Sequence, residues 1–155
     1  MVPMKLAEAL NLRADCQKRV EKLRQRLVNS ARVQEGDEPP EDPAQLIAEL
    51  ERVASEIESL VKRINRTNSL TPFQNGTTLS DALATRDSLM AKRSVYASLA
   101  EAAAVRQDRY SRSEVKYLST VNIAEIQRTI DGLSQQYRLL DSGIQAANWS
   151  IDLLD

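Results

Sequence analysis

The chain has 155 residues, a formal net charge of -1, 42% hydrophobic and 28% charged residues, one cysteine and no histidine. This excludes an internal disulfide and the commonest general base and metal ligand, and near-neutrality gives no global pull toward nucleic acid or anionic membranes. Aromatic residues make up only 4% and glycine occurs four times, a balance that favours helix over sheet.

In chain order, the first helix is predicted over about residues 5–29. Leu6, Ala9, Cys16, Val20, Leu23 and Leu27 alternate steps of three and four, with Arg13 filling the missing step. Pro39-Pro40 and the acidic residues around them close it with a loop, and Asp42-Pro43 suits a cap and first helical position. The second helix is predicted over 44–67, on the stripe Leu46, Leu50, Val53, Ile57, Leu60 and Ile64. Asn75-Gly76 marks a tight turn and allows a short β-hairpin in the connection. Thr78 and Asp81 form a capping-box pattern before a third helix over 80–108. Residues 109–121 allow a short extended piece. Asn122 and Glu125 then cap a fourth helix, predicted to run over 122–154 on Ile123, Ile126, Ile130, Leu133, Tyr137, Leu140, Ile144, Ala147, Ile151 and Leu154. Arg138 and Asp141 are spaced to pair on its surface. The expected fold is all-α in a single helical domain: long antiparallel helices forming a four-helix bundle or paired coiled-coil-like hairpins.

Two groups of residues are candidates for function. Arg13, Arg86 and Arg93 fall on or beside apolar stripes, where a guanidinium needs a carboxylate partner; Asp81, Asp87, Glu114 and Asp131 are available. They read as an anion pocket, as ion pairs fixing helix register, or as side chains snorkelling at a stripe's edge. Arg109, Arg112 and Lys116, with Glu114 among them and Tyr110 and Tyr117 beside them, make a locally basic run that holds phosphates or stacks bases, or is simply a solvated loop. Gly132 and Gly143, eleven residues apart, together with Tyr137, Ile144, Trp149 and Ile151, are the candidate interface, where glycine permits close helix approach.

No Walker A loop, dinucleotide fingerprint, nucleophile elbow or EF-hand spacing occurs, and Cys16 falls on an apolar seam where a thiol is ordinary packing. No catalytic residue, cofactor or metal is assigned, and an enzyme is the less favoured class. The long fourth seam predicts a homo-oligomer. The leading reading is a cytoplasmic, self-assembling interaction protein; the alternatives are a ligand- or nucleic-acid-binding module and a membrane-active protein.

Several stretches, among them Met4-Lys5-Leu6-Ala7-Glu8-Ala9-Leu10, Val33-Gln34-Glu35-Gly36, Ile64-Asn65-Arg66-Thr67-Asn68, Thr78-Leu79-Ser80-Asp81-Ala82-Leu83, the run Arg109–Lys116 and Asn148-Trp149-Ser150, resemble the bacterial septicolysin family of small proteins. The resemblance implies one bacterial domain after Met4 and, by the family's name, a cytolysin. Against lysis, the N-terminus lacks a signal-peptide core and no stretch reaches the roughly 20 apolar residues of a membrane span.

Overall fold

A computed structural model describes residues 2–104 and 115–155. Among them it has four α-helices: α1 (Leu6–Asn29), α2 (Pro43–Leu70), α3 (Leu79–Ala103) and α4 (Ile123–Ser150), with a 3-10 turn at Gln74–Gly76. The expected all-α architecture is what the chain adopts, and it divides into two compact units. The first comprises residues 1–72 and 145–155, the second residues 73–144.

Local chemistry sets most helix starts. Asp42 accepts from the Ala44 N–H at 3.1 Å, with Pro43 in the first turn. Thr78 and Asp81 complete their capping box in both directions, at 3.2 and 3.0 Å. The Glu125 N–H donates to Asn122 Oδ1 at 3.2 Å. Each side chain takes up a helix N–H that would otherwise lack an intrahelical partner.

α1 has no side-chain cap. Its first N–H is satisfied from afar: Leu6 donates to the Ile151 carbonyl at 2.9 Å, and Leu153 donates to the Met4 carbonyl at 2.8 Å. These bonds form an isolated antiparallel bridge between Lys5 and Asp152, reinforced by their 2.6 Å ion pair. They also explain why α4 ends at Ser150 and not at residue 154. Its last residues leave the helix to pair with the start of α1, and Leu153 is buried where Leu154 was expected.

The connection before α3 is a turn and not a β-hairpin. Asn75 and Gly76 take positive φ angles of 55° and 75°, and the Phe73 N–H closes the loop on the Thr77 carbonyl at 2.8 Å. α2 runs three residues beyond its predicted end, to Leu70, and α3 stops at Ala103.

In the first unit Leu6, Leu23, Val53, Leu60 and Ile64 form the core, and Cys16 is fully buried among them. Burial pushes the Cys16 thiol up, and the Glu56 carboxyl hydrogen-bonded to it adds to the shift. Because the folded state holds this proton more tightly than the unfolded chain does, stability should fall as pH rises above the unfolded thiol pKa of about 8.5. At neutral pH Cys16 should react with a maleimide about a hundredfold or more slowly in the folded protein than in denaturant. Labelling at the rate of a free thiol would show that the seam is open.

Candidate functional site

The second unit carries a row of polar contacts between α3 and α4. Arg86 and Arg93 lie in the middle of the inward face of α3, seven residues apart and therefore about two turns along it. Arg86 Nη1 donates to Asp141 Oδ1 at 2.9 Å, and Arg93 Nε donates to Ser134 Oγ at 2.6 Å. The partners on α4 are also seven residues apart and run the opposite way, as antiparallel helices require. The Arg86 and Asp141 side chains are 24% and 29% exposed, so water screens this pair only in part.

Of the carboxylates expected to serve the stripe arginines, Asp87 lies 3.8 Å from Arg86. Asp81 is occupied in the α3 cap and Asp131 accepts from Gln127. Sequence reasoning assigned Asp141 to Arg138, its neighbour on the same helix. The pairing across helices depends on register, which the local sequence does not display. Arg13 is half-buried on α1 in the first unit, while Arg86 and Arg93 belong to the second. Arg109, Arg112 and Glu114 lie outside the described residues, as do residues 109–114 of the extended piece expected over 109–121; residues 115–121 form no strand, and Lys116 and Tyr117 are exposed.

The candidate interface residues divide. Ile144 is fully buried, Tyr137 and Ile151 are half-buried, and Trp149 is 58% exposed. At Gly143 a Cβ would lie 3.3 Å from the Phe73 ring, so the close approach there comes from the turn before α3 and not from a helix. A Cβ at Gly132 would meet nothing within 4 Å.

A second polar constellation, on α2, was not singled out from the sequence. Arg63 Nε donates to the Leu154 carbonyl at 3.0 Å and its Nη2 to Asp155 Oδ1 at 3.2 Å; Arg66 donates to the Asp155 main-chain oxygen. Beneath them Thr67 accepts from the Leu154 N–H at 2.9 Å and donates to the Arg63 carbonyl at 2.7 Å. Thr67 itself is wholly buried, and both hydrogen bonds are partly shielded from water. The spacing of Ser55, Ser59, Lys62 and Arg66 along one face of α2 was the available signal, but such a face is usually only solvated.

Among the described residues no three His, Cys, Asp or Glu side chains are placed to share a metal ion. No helix among them is long and apolar enough to cross a membrane.

Comparison with solved structures finds a crystal structure of a functionally unknown conserved protein from Corynebacterium diphtheriae. It is 48% identical, with a TM-score of 0.93 over 99% of this chain and 100% of that one. A search of curated proteins finds no match. A model of the family of unknown function DUF6847 matches residues 13–153. These findings overturn the resemblance to septicolysins. The short stretches behind it include a helix cap at Thr78–Asp81 and part of a helix face at Ile64–Asn68, local patterns that unrelated helical proteins share. The chain belongs to the DUF6847 family.

Proposed function

We propose that this protein is a self-assembling helical interaction module of the cytoplasm, with a second copy of the chain covering the far half of the α3/α4 hairpin. One observation carries the proposal. From Met90 to Ala103 on α3, and from Ile123 to Thr129 on α4, no residue is buried, whereas Leu79, Ala82, Leu89, Ile130, Leu133 and Ile144 in the rest of the hairpin are. The uncovered stretches still carry core-type residues. Met90, Leu99 and Ile123 are 43%, 38% and 39% exposed, and Tyr96 and Ile126 are half-buried. Two helices alone cover only one side of each apolar stripe, and a second hairpin supplies the missing layer. A symmetric pairing places the same patch on itself, so one chain provides both halves. Half-buried Arg86 and Arg93, bonded across to α4, hold the hairpin's register without closing this surface.

Light scattering after size exclusion, supported by native mass spectrometry, tests the reading. The expected result is a dimer or larger homo-oligomer at about 10 μM, converted to monomer by Leu99→Arg with Ile126→Arg. A wild-type monomer at ten times that concentration, or an oligomer that survives both substitutions, would sink it.

A further inference from the structure

We propose that the outer face of α2 carries a binding site for a small phosphate-bearing ligand, with the solvent-exposed Asp155 carboxylate at one end of it. Ser55, Ser59, Lys62 and Arg66 follow one another at steps of three and four, with Arg63 beside them, and so share one face of the helix. They line an open surface groove of about 620 Å³, with the solvent-exposed Asp155 side chain at one end and Glu58 at its border.

The groove's chemistry is that of an oxyanion site. Lys62, Arg63 and Arg66 supply three positive charges against the two carboxylates of Glu58 and Asp155, in a chain whose net charge is -1. Both guanidinium groups are already turned onto oxygen acceptors: Arg63 onto the Leu154 carbonyl and the Asp155 carboxylate, Arg66 onto the Asp155 main-chain oxygen. The Arg63 side chain is only 31% exposed, so its charge is partly shielded from water. Lys62 is held 2.6 Å from Glu58. Two planar forks, an ammonium group and two serine hydroxyls match the several acceptor oxygens of a phosphate better than the two of a carboxylate. Asp155 therefore occupies the arginine end as a weaker internal competitor. The site lies wholly within the first unit and does not depend on self-assembly.

Calorimetric titration of the full chain at low salt, with inorganic phosphate and with adenosine monophosphate, tests the proposal. Saturable binding at millimolar concentration or tighter is expected, weakened about tenfold by Lys62→Met with Arg66→Gln. Asp155→Asn should tighten binding several-fold, because it removes the competing charge and leaves the cations in place. Tighter binding of the nucleotide identifies a phosphomonoester that fills the groove; equal binding identifies phosphate alone. The proposal is overturned if wild type shows no saturable binding, if the Lys62/Arg66 variant binds as wild type does, or if Asp155→Asn weakens binding.

Discussion

Leu153→Ala should destabilise the protein by about 2–4 kcal/mol, the cost of removing a buried leucine side chain and leaving its space unfilled. Leu153 is 5% exposed, and its N–H ties the segment after α4 to the Met4 carbonyl. Leu154→Ala should cost less than about 1 kcal/mol, since that side chain is 38% exposed and the residue is held mainly through its main chain, by Thr67 and Arg63. The comparison separates two registers. Had the fourth helix continued on its three-four alternation, Leu154 would be the core residue and the order of the two effects would be reversed. Urea unfolding of both variants, read by circular dichroism, decides between them.

Asp141→Leu should cost about 1–3 kcal/mol, because it leaves the Arg86 guanidinium in a partly buried position with only the more distant, exposed Asp87 carboxylate, 3.8 Å away. The figure sits below that of a fully buried pair because both side chains retain about a quarter of their exposure. Arg86→Leu combined with Asp141→Leu should recover much of the loss, since leucines in a helix seam pack without a desolvation penalty. Arg138→Ala should change stability by less than about 0.5 kcal/mol, as an exposed helix-surface position does. Strictly additive effects of the Arg86 and Asp141 substitutions would show that the two residues act independently.

The helices and their starts were readable because their causes are local. Asp42-Pro43, Thr78 with Asp81, and Asn122 with Glu125 each act within one turn, and the three-four spacing of Leu46 through Ile64 is written along one strip of chain. The α2 groove was not readable. Arginines on an outer helix face look the same in sequence whether they are solvated or bonded to Asp155, which lies 92 residues from Arg63.

The sequence by itself determined the class of fold, most helix limits and the burial of Cys16, since side-chain spacing and capping set these within a few residues. Only the tertiary structure decided three further points. It ended α4 at Ser150, because Leu6 and Leu153 exchange main-chain hydrogen bonds with residues at the opposite end of the chain. It matched Arg86 on α3 with Asp141 on α4. It also brought Arg63 and Arg66 onto Asp155. In each case the deciding partner is remote in sequence, and a hydrogen bond or ion pair forms only with the group that folding brings within reach.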